Sequence, residues 1–134
     1  MGADRTEEAR TGKRRIMIIE DDPDMIELLS LIVRRGGYEP IAALGGQEGV
    51  RKLQELGADL VLLDLMMGDM SGWLVLQTVK GDETLQHIPV LIVSAKHQME
   101  DPSQAEAFAH LFEGYLVKPF VVQDLLSQIT EALS

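Results

Sequence analysis

The chain has 134 residues, of which 46% are hydrophobic and 25% are charged, a balance typical of a single soluble globular domain. It contains no cysteine, which excludes disulfide bonds and thiolate metal sites. Its net charge of −10 argues against nucleic acid as a direct partner and suits divalent cations. No apolar run reaches the length of a membrane span and the N-terminus is too polar for a signal peptide, so we expect a cytoplasmic protein without membrane attachment.

The N-terminal segment differs from the rest of the chain. Residues 1–13 hold almost no bulky apolar side chains and cannot contribute to a core. The first fifteen residues contain five basic and three acidic side chains, a net charge of +2. The remaining residues therefore carry −12, which gives the chain its net charge of −10. We therefore predict a flexible tail over residues 1–14 and one domain over residues 15–134.

The first half of the chain predicts two strand–helix units. The apolar run at 16–19 is short enough for a strand that is buried on both faces. Asp22-Pro23 follows as a capping acid and a first-turn proline, which together begin a helix. A second strand at 38–43 leads into a second helix, whose predicted inner face carries Val50, Leu53 and Leu56.

The second half of the chain continues the same alternation. The third strand, 60–63, consists of four apolar residues and ends at Asp64, and Ser71 is a suitable cap for the helix that follows. The remaining predicted elements are a strand at 88–93, a helix at 103–111, a strand at 115–117 and a helix at 122–133. Strands that alternate with helices predict a doubly wound α/β domain, in which right-handed crossovers place helices on both faces of a parallel sheet.

Polar side chains follow four of the predicted strands. They are Glu20, Asp21, Asp64, Ser94 and Lys118. The carboxyl ends of parallel strands meet at one edge of the sheet, where ligands bind in such folds, so these side chains should converge. Three carboxylates in one crevice repel each other by roughly 4 kcal/mol for each close pair, and a proton, a cation or a metal relieves this.

The chemistry of this cluster favours a hard cation and a phosphate. Oxygen ligands without histidine or cysteine suit Mg²⁺. The ammonium of Lys118 supplies an opposite charge when no metal is bound. A serine hydroxyl and a lysine ammonium are also suitable partners for the oxygens of a phosphoryl group.

Four ordered blocks of the sequence resemble the receiver domain of bacterial response regulators. They are residues 18–24, 60–72, 93–95 and 115–120, and the resemblance covers about residues 15–134. It implies a flavodoxin-like five-stranded sheet of order 2-1-3-4-5. It also implies a phosphorylation-switched signalling domain, which assists its own phosphorylation and dephosphorylation but is not otherwise an enzyme.

The resemblance assigns the phosphoacceptor and the metal ligands. By this mapping, Asp64 accepts a phosphoryl group from a phosphohistidine of a sensor histidine kinase or a histidine phosphotransfer protein. Mg²⁺ is held by Asp21, Asp64 and the backbone carbonyl of Met66, with Glu20 acting directly or through water. Because the Met66 side chain is apolar, it offers no group to orient a hydrolytic water, and we expect the acyl phosphate to outlive that of a Met66→Asn variant.

The resemblance also assigns the residues that bind and report the phosphoryl group. Ser94 and Lys118 bind its oxygens, while the small Ala95 keeps access to the site open. Ser94 and Tyr115 form the switch, with the ring of Tyr115 turning inward on activation. The face made by the fourth helix, fifth strand and fifth helix then binds a downstream target or a second copy of the chain.

Two single residues and one short segment depart from the usual receiver pattern. Glu20 stands where aspartate is frequent, and residues 110–114 replace a run of small residues. Gly68 replaces a proline, so the loop after Asp64 is predicted to be less rigid.

Other functions remain open at this point. Phosphatases and phosphotransferases of the haloacid-dehalogenase type also use a strand-end aspartate with Mg²⁺, but they carry a second aspartate where this chain has Met66. A flavin-binding module needs a phosphate-cradling loop after the first strand, and the acids at 20–22 would repel a phosphate. A degenerate receiver that only binds partners is the third alternative, and the intact acids with Ser94 and Lys118 argue against it. The sequence fits both a complete single-domain regulator and a fragment of a longer one.

Overall fold

A five-stranded parallel sheet forms the centre of the structure, a computed structural model that describes residues 12–95 and 102–134. Its strands are β1 (Arg15–Glu20), β2 (Glu39–Leu44), β3 (Leu60–Leu63), β4 (Val90–Ala95) and β5 (Gly114–Lys118). All neighbouring strands are parallel, and their order is β2-β1-β3-β4-β5. The predicted flavodoxin-like order 2-1-3-4-5 is therefore confirmed.

Helices connect the strands. They are α1 (Pro23–Arg35), α2 (Gly46–Leu56), α3 (Gly72–Lys80), α4 (Pro102–Ala107) and α5 (Val122–Leu133), and a 3₁₀ turn at Ala109–Leu111 follows α4. Asp22 and Ser71 cap α1 and α3 as predicted, because their side chains accept backbone N–H groups of the first turn. Within residues 12–95 and 102–134, no helix combines the length and the apolar character that crossing a membrane requires.

Two apolar layers cover the two faces of the sheet. Along β1, Met17 and Ile19 point into the layer formed with α2 and α3, whereas Ile16 and Ile18 point into the layer formed with α1 and α5. The same alternation continues along β3 and β4. Burial of each such side chain stabilises the fold by about 1.5–3 kcal/mol. A shift of the strand register by one residue would move these side chains to the opposite face and would therefore be destabilising. The register fixes which residue ends each strand.

Beyond shifts of one or two residues at strand ends, the structure differs from the predicted elements as follows. The fourth strand begins at Val90 and not at 88, since Ile88 donates its N–H to the carbonyl of Leu85 in the preceding turn. The predicted helix at 103–111 is divided into α4 and the 3₁₀ turn, because Phe108 leaves helical geometry and its ring packs 5.5 Å from that of Trp73. Leu56, predicted on an inner face, is 49% exposed as the last residue of α2.

The N-terminal segment is described only from residue 12. Of the predicted tail, residues 1–11 lie outside the described residues. Arg14 contacts the domain, since its guanidinium donates to the carbonyl of Leu133 at 2.6 Å and its own carbonyl accepts the N–H of Glu39. The division at residue 14 stays a prediction.

Candidate functional site

Asp64 lies at the carboxyl end of the central strand β3. The whole residue is only 8% exposed. The first turn of α3 closes directly over it: Gly72 donates its N–H to the carbonyl of Leu65 at 2.8 Å, and a Cβ atom at Gly72 would lie 2.6 Å from the Cα of Leu65. This close approach requires glycine, and it holds the loop at 65–71 against the strand end.

Two donors approach one oxygen of Asp64. The hydroxyl of the fully buried Ser94 donates to Oδ1 at 2.9 Å, and Nζ of Lys118 lies 3.9 Å from the same atom. Ser94 also accepts the N–H of Leu65 at 3.4 Å. The other oxygen, Oδ2, accepts no hydrogen bond from the part of the chain that the structure describes.

Glu20 forms a buried ion pair with Lys118. Nζ of Lys118 donates to Oε1 at 2.9 Å, and Oε2 accepts the N–H of Asp22 at 3.2 Å. Burial raises the pKa of Glu20, the charge of Asp64 raises it further, and the bond from Lys118 opposes both effects. The Lys118-Pro119 peptide bond that follows is cis.

The carboxylates form a cluster that can hold a metal ion. Asp21 is exposed, and its Oδ2 accepts the N–H of Gly68 at 2.8 Å. Ligand oxygens of Glu20, Asp21 and Asp64 all lie within 4.8 Å of one another. Two ligands on opposite sides of Mg²⁺ are about 4.2 Å apart, since each lies about 2.1 Å from the ion, so small side-chain movements would close the site. The all-oxygen donor set fits Mg²⁺.

Met66 and Ala95 lie beside this cluster. The Met66 side chain is 59% exposed in the loop after Asp64. Ala95 is half-buried at the last position of β4, next to Ser94. The Met66 carbonyl as a metal ligand and Ala95 as an access residue remain predictions.

Tyr115 connects the site to an aromatic cluster. Its ring packs edge-on against Phe112 at 5.9 Å, and Phe112 in turn lies 6.2 Å from Trp73. The Tyr115 hydroxyl is buried without a hydrogen-bond partner in the described chain. Burial raises the pKa of Tyr115, and the charge of Asp64 adds to this. The rotation of the Tyr115 ring on activation stays a prediction.

Sequence reasoning missed Asp69. This exposed residue of the loop after Asp64 accepts the N–H groups of Gly46 at 3.0 Å and Gln47 at 2.9 Å, the first residues of α2. A signal was present: α2 begins after Gly45 and at Gly46, which have no side chain to cap it. A helix that starts in this way needs an acceptor from elsewhere in the chain.

The sequence matches one family and many of its members. The family described as response regulator receiver domain matches residues 16–130. The chain is 36% identical over 119 residues to the DNA-binding dual master transcriptional regulator RpaA of Synechocystis, which covers 89% of this chain and 48% of that protein. It is 30% identical over 124 residues to the DNA-binding response regulator MtrA of Mycolicibacterium smegmatis, covering 92% and 52%. The chain thus spans about half the length of these curated relatives.

Solved structures with the same fold include receiver domains. The N-terminal domain of a response regulator receiver protein from Methanoculleus marisnigri is 35% identical, with a TM-score of 0.73 over 90% of this chain and 97% of that chain. The response regulator TrrA from Thermotoga maritima, in complex with Mg²⁺ and BeF, is 26% identical, with a TM-score of 0.78 over 90% and 99%.

Proposed function

The chain belongs to the receiver domains of response regulators, and on this premise we propose that Asp64 is its phosphoacceptor. Receiver domains are signalling proteins and not classical enzymes. The observation that carries the assignment is the setting of Asp64: a carboxylate at the end of the central strand, with Ser94 at 2.9 Å, Lys118 at 3.9 Å and two further acids beside it.

The proposed reaction moves a phosphoryl group from a histidine to Asp64. The donor is a phosphohistidine of a sensor histidine kinase or a histidine phosphotransfer protein. Oδ2 of Asp64, the oxygen without a hydrogen bond from the described residues, attacks phosphorus in line. The P–O bond of an acyl phosphate forms as the P–N bond breaks, and the imidazole leaves with the electron pair and takes up a proton. The protein contributes mainly position and charge.

The residues around Asp64 have distinct parts in this transfer. Lys118 turns part of its hydrogen bonding from Glu20 to a phosphoryl oxygen, and the hydroxyl of Ser94 donates to another. Ala95 leaves room for the incoming group. Asp21, Asp64, Glu20 and the Met66 carbonyl would hold Mg²⁺, which when bound neutralises charge on the phosphoryl oxygens.

The signal leaves the site through Ser94 and Tyr115. When Ser94 turns to the phosphoryl group, it gives up its bond to Asp64 and changes the space beside Tyr115. The unpartnered hydroxyl of Tyr115 costs about 1–3 kcal/mol, so its inward position is weakly held and can respond. A side chain with two positions is the element that such a switch requires.

The responding surface is the face formed by α4, β5 and α5. A groove of about 410 Å³ runs between β5 and α5, with Tyr115 in its wall and the 62% exposed Val121 at its end. We propose that a downstream protein or a second copy of the chain binds here. The net charge of −10 favours a protein over DNA as the direct partner of this domain. We propose that the domain acts in the cytoplasm.

Intact-mass analysis after incubation with acetyl phosphate and Mg²⁺ tests the proposal. The wild type should gain one phosphoryl group and Asp64→Asn none, although the nearly isosteric amide keeps the fold, as circular dichroism would show. Asp59→Asn is a matched control, because Asp59 lies just before β3 and is exposed. Phosphate mapped to a residue other than Asp64, or transfer that chelation leaves unchanged, would contradict the mechanism.

A further inference from the structure

The loop at 65–71 has no proline to stiffen it. Gly68 lies in the middle of this loop, and the same loop carries the Met66 carbonyl. A flexible loop would hold a metal ligand poorly, because its ordering would have to accompany binding. Two contacts already restrain this loop, from Gly72 to Leu65 and from Gly68 to Asp21. A third contact reaches α2.

Asp69 supplies that contact by binding the start of α2. Its two carboxylate oxygens each accept one backbone N–H, from Gly46 and from Gln47. These bonds lower the pKa of Asp69, the bond from Gln47 most, so the group stays charged at neutral pH. A charged acceptor at the positive end of a helix is a favourable arrangement.

The start of α2 is shaped to receive this loop. A Cβ atom at Gly45 would lie 3.0 Å from the Asp69 carboxylate, and one at Gly46 would lie 2.9 Å from the side chains of Met70 and Val75. Gly45 has a φ of 101°, which favours glycine at this turn. Larger residues at either position would push α2 away from the loop.

The same turn is also bonded to the end of β1. Gly45 donates its N–H to the backbone carbonyl of Glu20 at 3.1 Å. One turn of backbone thus joins two parts of the site: the strand end that carries Glu20 and Asp21, and the loop that carries Met66. On this geometry we propose that Asp69 is a positioning residue, which sets the loop of Met66 at a fixed distance from the acids of β1; the inference rests on the proposed function.

A simple helix cap would have a different consequence. If Asp69 only stabilised α2, its removal would lower stability and leave metal affinity unchanged. Asp82 provides the comparison: its Oδ1 accepts the N–H of Thr84 at 2.8 Å and the hydroxyl at 2.7 Å, in the turn after α3. Its pKa is likewise lowered by these bonds. Asp82 holds the turn that follows α3, at the other end of that helix from Asp64.

The experiment compares Asp69→Ala, Asp69→Asn and Asp82→Ala with the wild type. Affinity for Mg²⁺ alone is measured by titration followed through backbone amide NMR, and thermal unfolding without Mg²⁺ reports stability. We expect Asp69→Ala to raise the Kd for Mg²⁺ about tenfold, as for other residues that orient metal ligands. Asp69→Asn keeps one acceptor oxygen, so its Kd should lie between those of the wild type and Asp69→Ala. Asp82→Ala should leave the Kd unchanged.

The outcomes separate this inference from the function on which it rests. An unchanged Kd in both Asp69 variants, with stability lowered as in Asp82→Ala, would reduce Asp69 to a cap and overturn the inference alone. A wild type whose amide spectrum does not respond to Mg²⁺ would overturn the proposed metal site and the inference together. Should Asp69→Ala fail to fold, Asp69→Asn gives the same decision.

Discussion

Two partly buried lysines lie at opposite ends of the sheet and have different partners. Lys80, at the end of α3, donates to the backbone carbonyls of Gln86 at 3.1 Å and Ile88 at 2.6 Å. Lys118, at the end of β5, donates to the carboxylate of Glu20 and lies near that of Asp64. One ammonium binds backbone and the other binds ionisable side chains.

The same contrast extends to other charged groups at the two ends. At the amino end, Arg15 donates to the carbonyl of Leu56, and Asp59 accepts the backbone N–H of Arg15. Backbone partners are fixed by the helices and strands that carry them. At the carboxyl end, the partners are side chains, which on the proposed function exchange one another for a metal ion or a phosphoryl oxygen. Charged groups therefore stabilise the fold at the amino end, whereas at the carboxyl end they are available for the proposed phosphoryl transfer.

Replacing each lysine by methionine should give the largest effects. Lys118→Met leaves the buried carboxylate of Glu20 without its ammonium and should lower the free energy of unfolding near neutral pH by about 3 kcal/mol. Lys80→Met removes charged hydrogen bonds to two carbonyls and should cost about 1.5–3 kcal/mol. Urea unfolding without Mg²⁺ measures both.

The pH dependence distinguishes the two lysine variants. The pKa of Glu20 is raised in the fold, so stability from its protonated form is present at low pH and is lost as the pH rises through the folded value. Because losing Lys118 raises that pKa further, the deficit of Lys118→Met should narrow on acidification. Burial lowers the pKa of Lys80, so wild-type stability gains from this group as the pH rises toward 10.5, a gain that Lys80→Met lacks. Parallel profiles for the two variants would remove the contrast.

Asp21→Ala tests the proposed metal site at the carboxyl end. In the wild type, Mg²⁺ at a hundredfold excess over its Kd should add about 2.7 kcal/mol of stability. Without the Asp21 carboxylate, this Mg²⁺-dependent rise in melting temperature should disappear. Asp59→Ala, at the amino end, should retain it. A rise that persists in Asp21→Ala would place the metal elsewhere.

Two substitutions of Gly68 test the bond between its N–H and Asp21 at the carboxyl end of the sheet. Gly68→Ala keeps the N–H that Asp21 accepts, and its Cβ would lie 3.7 Å from that carboxylate, so a gain of about 0.4–1 kcal/mol is expected. Gly68→Pro removes the N–H and should be about 1 kcal/mol less stable than Gly68→Ala. Equal stability of the two variants, by thermal unfolding, would show that the bond to Asp21 contributes nothing.

Of the variants proposed here, Met66→Asn should change the free energy of unfolding least and the lifetime of the acyl phosphate most. An amide at this exposed position can orient a water toward the phosphoryl group, so the acyl phosphate should decay several times faster than in the wild type. Leu56→Asn, an exposed apolar residue at the amino end, is the control and should not alter decay. Decay of the phosphorylated mass over time measures both, and equal rates in Met66→Asn and the wild type would refute the assignment.

Much of the fold could be predicted because its signals are local. The apolar runs at 16–19 and 60–63 are short and unbroken, and Asp22 and Ser71 stand where helices begin. The polar residues after four of the strands were visible for the same reason. By contrast, the division of α4 from the 3₁₀ turn depends on Phe108 packing against Trp73, 35 positions earlier, which no local pattern records.

The sequence by itself determined the edge of the sheet that carries Asp64 and the residues that converge there, because the alternation of strands and helices allows few topologies. The strand order followed from the resemblance of four sequence blocks to receiver domains. Only the tertiary structure decided which partners these groups have. It placed Lys118 closer to Glu20 than to Asp64, left the Tyr115 hydroxyl buried without a partner among the described residues, and joined Asp69 to the start of α2. Such contacts join residues more than twenty positions apart, and their geometry follows from how the layers pack and not from any single segment.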